Sequence, residues 1–238
     1  MEKNIKAVLF DLDGTLLPMD QEEFTKGYFK YLIKKLAPYG YEPEELINSI
    51  WHGTVAMVKN TGEKTNEEAF WCDFSSIYGQ ERTERDRALF EEFYDVDFKK
   101  AQHTCGYNPL AKKAIEILKE KGIRIILATN PIFPATATKT RIGWAGLTPE
   151  DFEFFTSYEN IGYCKPNLDY YRDVLKRANL SPNECLFVGN DVDEDMVAKG
   201  LGINVFLLTD CMINKKGEDI NKYKHGDFPA LIEYLKNL

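Results

Sequence analysis

Residues 5–15 read IKAVLFDLDGT. The first six form a short apolar run rich in strand formers. The run breaks at Asp11-Leu12-Asp13-Gly14, whose residue types end strands and start turns. A strand that delivers two carboxylates at its carboxyl end is the point from which the rest of the chain is read.

Towards the C-terminus the text alternates. Leu110, Ala114, Ile117 and Leu118 predict a helix that stops at Lys121-Gly122. Residues 123–129, IRIILAT, predict a strand, 134–145 a helix, and 153–157 a short strand. Tyr171, Val174, Leu175 and Ala178 mark a further helix. Strands at 185–189 and 203–208 flank a helix at 193–200, and a last helix covers 228–236. Apolar strands alternating with helices predict an α/β fold, a parallel sheet with helices on both faces. Between the first strand and this region, helical spacing recurs without a strand: Phe24, Tyr28, Leu32 and Leu36, then Phe70, Phe74 and Ile77, then Leu89, Phe90 and Phe93. The stretch 18–100 therefore reads as an inserted all-helical domain, with 1–17 and 101–238 forming the core.

Composition narrows the function. The 238 residues suit one core with an insert. The chain carries 30 basic and 38 acidic residues, net −8, which argues against a nucleic-acid partner. Apolar runs such as 125–128 and 185–188 fall far short of the ~20 residues of a membrane span. The apolar stretch at the N-terminus is too short for an export signal, so the expected compartment is the cytoplasm. Cysteines 72, 105, 164, 185 and 211 are odd in number, widely spaced and without a CxxC, which predicts free thiols. No segment points to an obligate protein partner.

Ligands of parallel sheets bind at the carboxyl ends of strands. Four such ends carry polar residues here: Asp11 to Thr15, Thr129-Asn130, Lys165 after a short loop, and Gly189-Asn190-Asp191 with Asp195 beyond. If the strands are neighbours, these converge. Asp11, Asp13, Asp191 and Asp195 with Lys165 leave a formal charge of −3. Clustered carboxylates do not all ionise without a counter-charge. A divalent cation relieves the excess, and hard oxygen ligands suit Mg²⁺, which also binds substrate phosphate.

The ordered set DLDGT (11–15), ATN (128–130), CKP (164–166) and VGNDVDED (188–195) resembles the haloacid dehalogenase-like hydrolase superfamily, in its phosphatase branch with a helical cap. The resemblance covers the whole chain. It implies a Rossmann-like core, a cap at 18–100, and a Mg²⁺-dependent phosphatase acting on a small phosphorylated metabolite through an aspartyl-phosphate. Carried over by position, Asp11 is the nucleophile and Asp13 the general acid, then base. Thr129, Asn130 and Lys165 bind the phosphoryl group. Mg²⁺ is held by the Asp11 carboxylate, the Asp13 carbonyl and an acid of the last motif. A phosphomutase uses the same nucleophile, and a non-catalytic binding or regulatory protein keeps the same fold. A dehalogenase needs neither the acid at Asp13 nor a metal.

The last motif departs from the commonest Gly-Asp form. Alignment on Gly189 makes Asn190 the metal position; alignment by charge makes it Asp191, which is favoured because an anionic oxygen binds Mg²⁺ better than an amide. Asn190 and Asp195 are then supports for the ligands. Asp193 and Glu194 are expected to be solvated, His52, His103 and His225 structural or superficial, and Trp51, Trp71 and Trp144 core. The cap residues that select substrate are expected among Met19, Asp20, Trp51, His52, Lys59 and Asn60.

Overall fold

The structure, a computed structural model, describes residues 5–238. In chain order the elements are β1 (Ala7–Phe10), α1 (Gln21–Leu36), α2 (Pro43–Val58), α3 (Asn66–Tyr78), α4 (Gln80–Glu92), α5 (Pro109–Glu120), β2 (Arg124–Leu127), α6 (Ala135–Trp144), α7 (Leu168–Ala178), β3 (Cys185–Gly189), β4 (Asn204–Leu208), β5 (Lys224–Gly226) and α8 (Phe228–Lys236). The strands form one parallel sheet in the order β2-β1-β3-β4-β5. The strand order reverses at β1, which makes a crevice at the carboxyl ends of β1, β2 and β3. Phe10 lies in register with Leu127 and Val188, so the residues that follow each strand emerge side by side.

Alternation along the strands explains why both faces are covered. Val8, Phe10, Ile125, Leu127, Leu186 and Val188 belong to one apolar cluster, which includes Leu118 of α5 and Leu231 of α8. Ala7, Leu9, Ile126 and Phe187 point the other way, into a cluster with Tyr170, Tyr171 and Val174 of α7. The parallel sheet with surrounding helices is the fold class expected from the alternating pattern.

Between β1 and α5 the chain is helical. Asp20 caps α1 by accepting from Glu22 N at 2.9 Å and Glu23 N at 3.0 Å, and Thr65 with Glu68 closes a capping box on α3. The two crossings into this segment lie against each other: Gly106 N donates to Pro18 O at 2.7 Å, and Met19 bridges Cys105. Phe98 stacks on Trp144 at 5.2 Å and Phe24 meets Phe133 edge-on at 6.1 Å, so one apolar cluster runs from the sheet into the helices.

Several expectations change. Residues 153–157 run along the edge of β2, with Glu153 N donating to Ile125 O and Thr156 N to Leu127 O. They form only one bridge, Leu127 to Phe155, and no strand. The helix expected at 193–200 is reduced to a 3₁₀ segment, Met196–Leu201, because the Asp191 and Asp195 side chains hold the preceding backbone in turns. β5 was not expected; it is three residues long and polar, an edge without an apolar signature. Trp71 and Trp144 are buried as expected, but Trp51 is 49% exposed. His52, His103 and His225 lie at the surface. The expected core began at residue 1, and 1–4 lie outside the described residues. Among the described residues no helix is long and apolar enough to cross a membrane.

Candidate active site

The turn after β1 is shaped by glycine. Gly14 has φ +81°, and a Cβ there would collide with the Asn190 side chain. Gly189 is needed for the same reason, since a Cβ would strike the Asp195 carboxylate. The first close approach brings the ends of β1 and β3 together, and the second folds the turn after β3 back on the strand's last residue.

Asp11 is buried, and each carboxylate oxygen has a partner. Lys165 Nζ donates to Oδ1 at 2.9 Å, and Thr15 Oγ1 lies 3.2 Å from Oδ2. The same hydroxyl lies 2.9 Å from Asn190 Oδ1, so its single proton serves one acceptor at a time. Lys165 is held on its other side by Asp195 Oδ1 at 2.7 Å. Burial works to lower the lysine's pKa, but the charges of Asp11 and Asp195 prevail and hold it well above its ordinary value. Asp195 Oδ2 accepts from the backbone N–H groups of Asn190 and Asp191, each at 3.0 Å. Burial pushes the Asp195 carboxyl up, against the pull of Lys165.

Asp13 stands on the other side of the crevice. Its Oδ2 pairs with the guanidinium of Arg141, a wholly buried residue of α6. Its Oδ1 is buried without a hydrogen-bond partner. Burial raises Asp13 above the ordinary carboxylate range, although Arg141 pulls it down.

Thr129 is fixed through its carbonyl, which accepts from Thr156 Oγ1 at 2.6 Å and Tyr170 OH at 2.9 Å. Asn130 ties two loops together: its Oδ1 accepts from Lys165 N at 3.2 Å and its Nδ2 donates to Glu194 Oε2 at 3.2 Å. Glu194, expected to be solvated, is half-buried and lines the cavity; burial pushes its carboxyl up to about 7. Asp193 does reach solvent, where it pairs with Lys216. Asp191 Oδ1 accepts from Asp193 N at 2.8 Å and Glu194 N at 2.9 Å, with no partner at its Oδ2 among the described residues.

These residues open on a cavity of about 380 Å³. Asp11, Asp13, Thr129, Asn130, Asn190, Asp191 and Asp195 all line it, and Lys165 is buried behind Asp11. Its far side is built by α1–α4. Trp51 is the one expected cap residue that lines it. Asp20 instead caps α1, Asn60 binds Lys64 O and Asn66, and Met19, His52 and Lys59 lie outside the lining. Arg141 and Glu194 were missed as site residues. The one signal for Arg141 was a charge on a helix whose neighbours Ala137, Ile142 and Trp144 are buried.

Among the described residues no three His, Cys, Asp or Glu side chains form a ready metal cage. The donors at the cavity are nevertheless hard oxygens, and Asp191 keeps one carboxylate oxygen uncommitted. That set fits Mg²⁺, which holds several waters and rarely uses an all-protein cage.

A family model described as haloacid dehalogenase-like hydrolase matches residues 5–202. A glyceraldehyde 3-phosphate phosphatase of Methanocaldococcus jannaschii is 25% identical, with 98% of each chain covered. A D-ribitol-5-phosphate phosphatase of Bacteroides thetaiotaomicron is 21% identical, over 85% of this chain and 91% of the relative. Among solved structures, the HAD-hydrolase YfnB of Bacillus subtilis, bound to magnesium, superposes with a TM-score of 0.58 at 19% identity, over 99% of this chain and 100% of that one.

Proposed function

The chain belongs to the haloacid dehalogenase-like hydrolases, and from that premise we propose that it hydrolyses the phosphate monoester of a small metabolite. The names of the phosphatase relatives support the reading. The observation that carries it is the buried Asp11–Lys165–Asp195 chain, at 2.9 and 2.7 Å, set beneath a cavity that Asp13 also lines.

In this reading an Asp11 carboxylate oxygen attacks phosphorus and the ester P–O bond breaks. The leaving alkoxide takes a proton from Asp13, and an aspartyl-phosphate remains on Asp11. Asp13, now a carboxylate, takes a proton from a water that attacks the same phosphorus. The acyl-phosphate bond breaks, phosphate leaves, and Asp11 is restored. Arg141 occupies Asp13 Oδ2, which assigns the proton to Oδ1. Thr129 and Asn130 bind phosphoryl oxygens, and Lys165 holds Asp11 oriented and balances charge on the transferring group. Asp11, the Asp13 carbonyl and Asp191 would hold Mg²⁺, which supplies positive charge beside the phosphoryl group when bound. Magnesium is present in the YfnB structure.

The core is taken as 1–17 with 101–238, and the cap as 18–100, joined where Gly106 bonds Pro18. Closure of the cap over the core excludes water during attack.

The test is release of phosphate from p-nitrophenyl phosphate and a panel of phosphorylated metabolites, in EDTA and after Mg²⁺ is restored. Release that EDTA abolishes and Mg²⁺ restores supports the reading. Full release in EDTA removes the metal from it. Failure of every ester overturns it.

A further inference from the structure

The cavity changes character along its length. Its floor carries the carboxylates, and its far wall is aromatic: Phe29, Trp51, Phe70, Trp71 and Tyr94 from the inserted helices, with Tyr158 from the core. None of the lining residues contributed by α1–α4 is charged. The one basic side chain that lines the cavity, among the described residues, is Lys215, from the loop after β4.

That wall offers no cation to a leaving group with a carboxylate. Its polar side chains, Gln21, Thr25 and Thr54, are outnumbered by the rings beside them. It suits a flat ring, which gains from edge and face contacts with aromatic side chains. One polar group is poorly satisfied. Trp71 is 8% exposed, and its Nε1–H has only a badly aligned contact with the Tyr158 hydroxyl. A buried donor held so weakly is uncommon and can turn to an acceptor on a ligand. The volume of about 380 Å³ lies low in the range of small-molecule sites, enough for a phosphoryl group and one ring system.

We propose that the substrate is the phosphate ester of an uncharged aromatic or heteroaromatic alcohol whose ring packs among the cap's aromatic side chains and whose hydrogen-bond acceptor meets Trp71 Nε1–H. This rests on the phosphatase reading above. The named substrates of the two relatives, a triose phosphate and a pentitol phosphate, are of a different, polar class.

The test compares three primary alkyl esters in Mg²⁺ buffer: 2-phenylethyl phosphate, glycerol 1-phosphate and phosphoglycolate. All three leave as primary alkoxides, so the contrast lies in the rest of the leaving group. The expected result is a kcat/KM for 2-phenylethyl phosphate at least about tenfold above the other two. Trp51→Ala, at a half-exposed position where folding is spared, should shrink that ratio severalfold. Preference for glycerol 1-phosphate or phosphoglycolate, or a ratio near one, overturns the inference and leaves the phosphatase reading intact. If no ester is hydrolysed, the phosphatase reading fails, and binding decides the inference: quenching of tryptophan fluorescence by benzylphosphonate at concentrations about tenfold below those of methylphosphonate supports it, and equal concentrations overturn it.

Discussion

Asp195 and Lys165 form an ion pair of 2.7 Å in which both side chains are buried. Asp195 has two tasks, because one oxygen holds the lysine and the other accepts two backbone N–H groups of the turn after β3. Asp195→Ala removes both and leaves a charge half-paired in the interior. Breaking a buried pair in this way costs about 3–5 kcal/mol, to be read as a lower urea midpoint. Asp195→Asn keeps an acceptor for the turn but not the charge that steers Lys165. It should retain more stability than the alanine variant and still lose most of kcat.

Arg141 should act through Asp13. It contacts one oxygen of that carboxylate and lies over the Phe133 ring at 4.5 Å, without lining the cavity. Arg141→Lys cannot reproduce the planar fork, so Asp13 loses its fixed orientation. The kcat/KM for alkyl phosphates, whose leaving groups need a proton, should fall about 10²-fold or more. The kcat/KM for p-nitrophenyl phosphate, which reports only the transfer to Asp11 and whose leaving group needs no proton, should fall much less, while kcat falls on both because Asp13 is also the base of the shared hydrolysis. Equal losses of kcat/KM on both would contradict a role for Arg141 in orienting the acid.

The helical insert has a charge-dependent clasp of its own. Asp86 accepts from Tyr41 OH at 3.0 Å and from Arg85 Nε at 2.8 Å. The Arg85 hydrogen bond holds its carboxyl below the ordinary range, against burial and with help from Tyr41. A depressed carboxyl stabilises the fold above its unfolded pKa of 3.8 and loses that contribution as pH falls through its folded value. Asp86→Asn should therefore cost about 2 kcal/mol at pH 7. The difference from the unmodified protein should close as the pH is taken below about 3.8, in urea titrations at each pH.

The sheet and the carboxylates were legible because each depends on local pattern. The strand Ala7–Phe10 is wholly buried and ends at Asp11, so an apolar run ending in acids conveys both the strand and the site. The helices α1, α3 and α4 were legible from spacing alone, whereas α2 carried no spacing that marked it. What was hidden depends on contacts distant in sequence. Arg141 reaches Asp13 across 128 residues, and only the seating of α6 brings it there. Trp51 has a core residue's chemistry but is half-exposed because it lines a cavity, and no periodicity separates the two cases. Glu194 sits among acids that read as a solvated run, yet the turn folds it towards Asn130.

The metal ligand at the last motif should be Asp191. The Asn190 amide is already engaged, with Thr15 at its oxygen and Cys211 O accepting from its Nδ2 at 2.7 Å. Asp191→Ala should raise the Mg²⁺ concentration for half-maximal activity about tenfold or more, and Asn190→Ala far less. The reverse order places the ligand at Asn190.

The most direct test of the account is acid quenching during turnover, followed by mass spectrometry of the peptide that contains Asp11. The account predicts one added phosphoryl group on Asp11, a larger fraction of it in Asp13→Asn because hydrolysis has lost its base, and none in Asp11→Asn, whose turnover should fall by several orders of magnitude. A phosphoryl group on another residue, or Asp11→Asn turning over at a tenth of the unmodified rate, would contradict it.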